Sequence, residues 1–269
     1  MHIETTFILL FVVATTVAIA ARRLRIPYTV ALVVAGLVLG AVHVLEPPHL
    51  TKELLFAVFL PGLLFEAAFH LEFAEFWRDR AAIFALSVPG VVVAIALTAG
   101  ILTWLAGTLH FANGFGWESA LVFAALIAAT DPIAVVALFK SMGVPRRLAV
   151  LVEGESLLND GTSIVLFTLV LGALAGAEVS AGGLAVEFVK VAGGGALVGG
   201  LVGLAIAQVI RRVDDPMIEI TLTTIAAYGA FVAAEALFFS GVIATVTAGM
   251  LCGNYAKRTG MSPSTRVAV

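Results

Sequence analysis

Asp160 lies in Glu155-Ser156-Leu157-Leu158-Asn159-Asp160-Gly161-Thr162-Ser163, between the apolar runs Leu148 to Val152 and Ile164 to Val170. Asp131 stands between Thr130 and Pro132 in a second apolar run, and Glu66 follows Leu63-Leu64-Phe65 in a third. A carboxylate at the centre of a bilayer-crossing helix costs about 3 kcal/mol on insertion scales, so such groups face protein or water and mark ion pathways. Carboxylates, hydroxyls and backbone carbonyls are all oxygen donors, suited to hard cations rather than soft metals. No His or Cys stands beside them, so the chemistry indicated is reversible binding of a simple cation or a proton, with no resident metal and no cofactor.

Pro132 sharpens this expectation. It has no amide hydrogen for the carbonyl of Ala128 and disfavours helical geometry at Asp131. Thr130-Asp131-Pro132 therefore predicts local unwinding, which hydrocarbon tolerates only where the backbone is buried in protein or lines a cavity. Carbonyls freed at such midplane breaks coordinate ions in secondary transporters. Around Asp160, Ser156 is an i,i+4 neighbour and Ser163 follows three residues later, while Glu155 and Asn159 form an adjacent i,i+4 pair. One stripe is expected to face the cation and the other to brace a neighbouring helix.

The elements that must position these residues are membrane helices. The 269 residues are 61% hydrophobic and only 12% charged, where a soluble domain carries about 25% charge. Segments of about 20 apolar residues cross a bilayer, and nine such spans are predicted: 3–21, 28–45, 52–71, 81–109, 118–139, 147–171, 184–210, 217–237 and 240–255. The first begins with Glu4 and ends at a basic cluster, the reverse of a signal peptide, so it reads as a retained helix. Thirteen of the fifteen Lys and Arg residues follow spans one, three, five, seven and nine; Lys52 and Lys190 are the exceptions. Cytoplasmic loops collect basic residues, which predicts an N-terminus outside and a C-terminus in the cytoplasm. Gly36 and Gly40, and Gly195, Gly199 and Gly203, have the spacing that lets helices pack closely. Glu187 and Lys190 read as a surface pair, and His43, His70 and His110 as interfacial residues near span ends.

Several classes are excluded. The single Cys252 forms no disulfide within the chain; P-loop, dinucleotide-binding and HExxH motifs are missing; and the basic residues gather on no single face, which argues against nucleic acid.

The motifs carry a resemblance. TDPIAVVALFK (130–140) followed by GVPRRLAVLVEGESLLNDGTSIVLF (143–167) closely resembles the two-helix core of the monovalent cation:proton antiporter-1 family, the sodium/proton exchangers. LPGLLFEAAF (60–69) and SGVIATVTAGMLCGNY (240–255) resemble that family's third and ninth helices. The resemblance implies an all-α polytopic membrane protein with inverted repeats around a midplane site, and a homodimer in the cell membrane. About nine transmembrane helices would form one antiporter domain over 1–269, incomplete at its C-terminal side. They would comprise the first repeat and part of the second, with helix five broken by proline and an ion-binding core at 118–171. By resemblance Asp160 is the essential carboxylate, and Thr130, Asp131, Ser156 and Glu66 complete the ion site. Asn159 marks the electroneutral type, and Pro132 and Glu155 are supporting, Glu155 pairing with an arginine on a helix beyond this chain.

The mechanism implied is exchange of Na⁺ (or Li⁺ or K⁺) for H⁺ by competition at Asp160, serving pH homeostasis. It is secondary transport rather than enzymatic catalysis. A K⁺/H⁺ exchanger on the same scaffold and a non-transporting fragment are the alternatives. An intramembrane aspartyl protease is a remote rival, since its dyad needs two carboxylates within about 3 Å.

Overall fold

A computed structural model describes residues 3–24, 26, 28–42, 51, 54–109, 115–175, 180–213 and 215–256. His43, His110, Lys52, Arg25 and the basic residues after 256 lie outside these. All regular structure among the described residues is helical. The chain divides into two compact units, Met1–Leu55 and Phe56–Val269. In the first, α1 (Ile3–Leu24) packs against α2 (Tyr28–Val42). Thr15 and Thr16 turn their hydroxyls back to the carbonyls of Phe11 and Val12, which makes them tolerable on an apolar helix.

The second unit holds the rest. Its helices are α3 (Leu60–His70), α4 (Phe73–Arg78), α5 (Arg80–Ala85), α6 (Val91–Leu109), α7 (Trp117–Leu126), α8 (Ile133–Met142), α9 (Arg146–Leu174), α10 (Ala181–Ile210), α11 (Pro216–Ala236) and α12 (Gly241–Leu251). Helices α5 and α6 form one span, Arg80–Leu109, interrupted by a π turn at Leu86–Gly90. The cause is Pro89: it offers no N–H to the carbonyl of Ala85, and a wider turn reaching back five residues spares the helix a break. Among the described residues four helices, Arg80–Leu109, Arg146–Leu174, Gly182–Ile210 and Pro216–Ala236, are long and apolar enough to cross a bilayer. The predicted fifth span is two half-helices, α7 and α8, separated at 127–132.

Other boundaries follow local chemistry. Gly143 closes α8 with φ 67°, a left-handed conformation that glycine adopts without a Cβ clash. Asp215 caps α11 by accepting from the N–H groups of Met217 (2.9 Å) and Ile218 (3.3 Å), with Pro216 at the first helical position. Helix α12 begins at a turn in which the Ser240 hydroxyl accepts from Ile243 N–H, after Phe238 at φ 60°. Glu187 and Lys190 pair on the surface at 3.0 Å.

The core is built on small residues. Helix α12 lies between α10, α3 and α11, and its Ala244 and Ala248, like Ala230 and Ala234 of α11, are completely buried. The glycine row 195–199–203 faces α12 within the same chain: a Cβ on Gly195 would lie 2.5 Å from the Ser240 carbonyl oxygen, and one on Gly203 3.0 Å from the Ala248 Cα. On Gly199 it would overlap the backbone of Ala244. Added Cβ atoms on Gly36 and Gly40, by contrast, meet nothing within 4 Å among the described residues of their own unit. The spacing in α10 is thus an intrachain packing seam.

Adjacent glycines separate the effects of packing and propensity. Gly199→Ala is expected to lower stability by about 1–3 kcal/mol, because backbone atoms of α12 cannot retreat from the methyl. Gly200→Ala, into open space, is expected to leave stability unchanged or raise it by up to about 1 kcal/mol through helix propensity. Thermal melting in detergent should show opposite or unequal shifts; equal losses would contradict the seam.

Candidate functional site

The break in the fifth span is stitched to the middle of α9 by hydrogen bonds. Asn159 Nδ2 donates to the Ala128 carbonyl at 3.2 Å and to Thr130 Oγ1 at 2.8 Å. Ser156 Oγ donates to the carbonyl of Thr130. One turn beyond, Ser163 Oγ donates to Asn159 Oδ1 at 2.7 Å, so the amide is held at both ends. Ser156, Asn159 and Ser163 are all buried. The Ala128 carbonyl, which Pro132 leaves without a helical donor, is therefore satisfied by a side chain from another helix. Beyond the break the helix resumes at once, with Val136 N–H donating to the Pro132 carbonyl at 2.8 Å.

This arrangement differs from the expected division of faces. Ser156, Asn159 and Ser163, spaced i, i+3, i+7, form the stripe that meets the break, and Asp160 lies beside that stripe. The reason is that backbone carbonyls exposed by the proline need donors, which amides and hydroxyls supply and a carboxylate cannot. Ser156 can still serve a cation, since its hydroxyl spends its proton on Thr130 and keeps oxygen lone pairs.

Asp160 itself is half-buried, and among the described residues its carboxylate has no hydrogen-bond or ion-pair partner. Among the described residues, the carboxyl groups that bear on it are those of Asp131 and Glu155. Asp131 and Thr130 are exposed at the break. Glu155, half-buried, stands one turn from Asn159 and interacts with its side chain. Glu66 lies exposed on α3, and no hydrogen bond or ion pair among the described residues joins its carboxylate to Asp160. The structure thus gathers Thr130, Asp131, Ser156, Asn159, Asp160 and Glu155 around the break.

Ser163 orients Asn159, a role for which the i,i+4 spacing is the one signal in the sequence. Glu219, completely buried in the first turn of α11, carries no such signal.

The stitch should be measurable. Asn159→Ala leaves the Ala128 carbonyl without its donor and is expected to cost about 1–3 kcal/mol, with Ser163→Ala costing about 1 kcal/mol. Thermal melting of the two variants checks the order; a neutral Asn159→Ala would mean that the break does not depend on this amide.

The fold and the sequence have counterparts among known proteins. The family model described as sodium/hydrogen exchanger, transmembrane, matches residues 8–268. The Na⁺/H⁺ antiporter ApNhaP of Aphanothece halophytica is 39% identical over 258 residues, covering 96% of this chain and 48% of the relative. The Na⁺/H⁺ antiporter NhaG of Bacillus atrophaeus is 37% identical over 279 residues, covering 99% and 52%. The chain spans about half the length of these two relatives. Among solved structures, the sodium proton antiporter MjNhaP1 of Methanocaldococcus jannaschii superposes with a TM-score of 0.72 at 22% identity, over 96% of this chain and 64% of that one. That likeness establishes a shared all-helical membrane fold, and the family match over nearly the full sequence makes this chain a member of the sodium/hydrogen exchanger family of multi-pass membrane proteins.

Proposed function

We propose that the chain carries the ion site of an exchanger that trades Na⁺ for H⁺ across the membrane, with Asp160 as the group for which cation and proton compete. The observation that carries this is the Asp160 carboxylate, half-buried and without a partner among the described residues, beside a proline-broken helix. Two further carboxylates, those of Asp131 and Glu155, bear on it among the described residues, and carboxylates favour a monovalent cation entering here. The hydroxyl oxygens of Ser156 and Thr130 and the backbone oxygens at the break supply neutral ligands of the kind a dehydrated Na⁺ requires.

Competition at one carboxylate has a stoichiometric consequence. A single Asp160 holds one monovalent cation or one proton, so each exchange moves equal charge in both directions and is electroneutral. Asn159, engaged in holding the break, adds no second charge to the cycle. The loops rich in Lys and Arg lie in the cytoplasm, with the N-terminus outside. The two relatives are named as Na⁺/H⁺ antiporters, which supports the same ion pair here.

Binding measurements on the purified chain test the assignment. Na⁺ should bind saturably, and below the working pH the apparent Kd should rise about tenfold per pH unit, the slope of one proton displaced by one cation. Asp160→Asn should abolish saturable binding, while Asn159→Ala should leave some. Retention of wild-type Na⁺ affinity by Asp160→Asn would refute the role of this carboxylate. Titration with K⁺ and Li⁺ in the same assay sets the cation preference.

A further inference from the structure

Helix α9 begins with two arginines, Arg146 and Arg147. Cations at a helix N-terminus face the positive end of the helix dipole, so this placement needs compensation. It comes from the short segment between α3 and α5. Arg147 Nε donates to both carboxylate oxygens of Asp79 at 3.0 Å, and its Nη2 to Asp79 Oδ1 at 2.6 Å. Arg146 reaches Glu72 at 2.6 Å and Glu75 at 3.3 Å, and Arg78 lies 3.5 Å from Asp79. The Asp79 side chain is only 6% exposed, whereas that of Arg147 is 66% exposed. The carboxylate is the desolvated member, and a forked geometry distinguishes this pair from ordinary surface ion pairs.

The same segment is gripped at its other end. Asn254, in the turn after α12, donates from Nδ2 to the Leu71 carbonyl at 2.9 Å and accepts from Phe73 N–H at Oδ1 at 2.8 Å. Phe76, between these anchors, and Ile83 of α5, just beyond them, press on α9 at Gly154, where a Cβ would come within 3.1 Å of both side chains. Residues 71–79 therefore tie the end of α12 to the first turns of α9. Gly154 is six residues before Asp160, about 9 Å along the helix, and Arg147 thirteen residues, about 20 Å.

We propose that Asp79 is a positioning residue for ion exchange: through Arg147 it fixes the height and rotation of α9, and so the presentation of Asp160 to the break at 127–132. The proposal rests on the assignment of Asp160 as the exchange carboxylate. Asp79 never touches the ion. Its effect travels along a continuous helix that has a close contact at Gly154 and a hydrogen-bonded stitch at Asn159, so a shift at the first turn displaces the groups that meet Thr130.

The ionisation of Asp79 follows from its surroundings. Hydrogen bonds from Arg147 hold its carboxyl below the usual carboxylate range, against the opposing effect of burial. Arg78 acts in the same direction, and Glu72, Glu75, Arg146 and Arg80 complete the charges of the cluster. Because the folded-state value is depressed, the clamp contributes fully above the unfolded value near ~3.9 and loses its contribution as pH falls through the folded value. The difference in melting temperature between wild type and Asp79→Asn should hold through neutral pH and close only in strong acid.

The test uses Asp79→Asn, Arg147→Gln and the charge exchange Asp79→Arg with Arg147→Asp in the full 269-residue chain. Two readouts are taken: Na⁺ affinity with its pH profile, and amide hydrogen exchange at 127–132 and 156–163. Each single variant is expected to weaken Na⁺ binding about fivefold or more, the scale of a modest coupling between sites, and to speed exchange at the break. The charge exchange should recover both to within about twofold of wild type on the same scale. Folded single variants with unchanged affinity and unchanged exchange at 127–132 would overturn the proposal, as would a charge exchange that recovers nothing. If the single variants fail to fold, Arg147→Lys keeps the charge while losing the fork, and the same two readouts decide with an intermediate effect expected. Absence of saturable Na⁺ binding in the wild type would instead remove the functional assignment, and hydrogen exchange alone would then decide whether the clamp reaches the break.

Discussion

A proline in the middle of an apolar helix leaves a carbonyl that must find a donor, and much of the second unit is organised by that requirement. In water the Ala128 carbonyl would be solvated; in a membrane an unsatisfied backbone group costs several kcal/mol. The donor comes from Asn159, itself held by Ser163, while Ser156 secures the next exposed carbonyl at Thr130. Helix α9 is thereby committed to one height and one rotation against α7 and α8. Asp160, beside the stitched stripe, is then presented where polar backbone is already gathered. The polar residues in the middle of α9 are thus of two kinds: those that satisfy the break, and a carboxylate, Asp160, that the break does not use.

The rest of the unit keeps that arrangement rigid by close approach. Alanine and glycine rows on α10, α11 and α12 let backbones come together without large side chains between them, which is how helices associate where the surrounding lipid is as apolar as leucine. Backbone hydrogen bonding crosses this seam as well, with Ser240 N–H donating to the Val191 carbonyl at 3.1 Å. Helix α12 packs in turn on α3 through Gly249, where a Cβ would approach the Phe65 carbonyl at 2.8 Å. These contacts carry no charge and no chemistry. They make a stiff frame against which a broken helix can be held.

Much of this was legible in the residues. The spans follow from the length of each apolar run, and the helices fall close to the predicted ranges because hydrocarbon thickness and helix rise are fixed quantities. The break at Thr130-Asp131-Pro132 was legible because a missing N–H is a covalent property of proline. The pairing of Glu187 with Lys190 was legible because both ends lie on one helix, one turn apart. The assignment of faces on α9 was less secure: helical spacing gives neighbours but not what stands opposite, and Ser156 proved to serve the Thr130 carbonyl. For Glu66, exposed on α3, spacing along the helix likewise does not say what stands opposite.

By itself the sequence determined the helical membrane class, the position of the break and the set of polar residues from which a site could be made. These rest on covalent chemistry and on local periodicity, which a single strand of text contains. Only the tertiary structure decided which donor satisfies Ala128, which glycines face another helix of the same chain, and that Asp79 and Asn254 bind residues 71–79 to α9 and α12. Those outcomes depend on contacts between segments up to 183 residues apart, as from Leu71 to Asn254. No spacing rule reaches that far, because the partner across such a contact is chosen by packing in three dimensions.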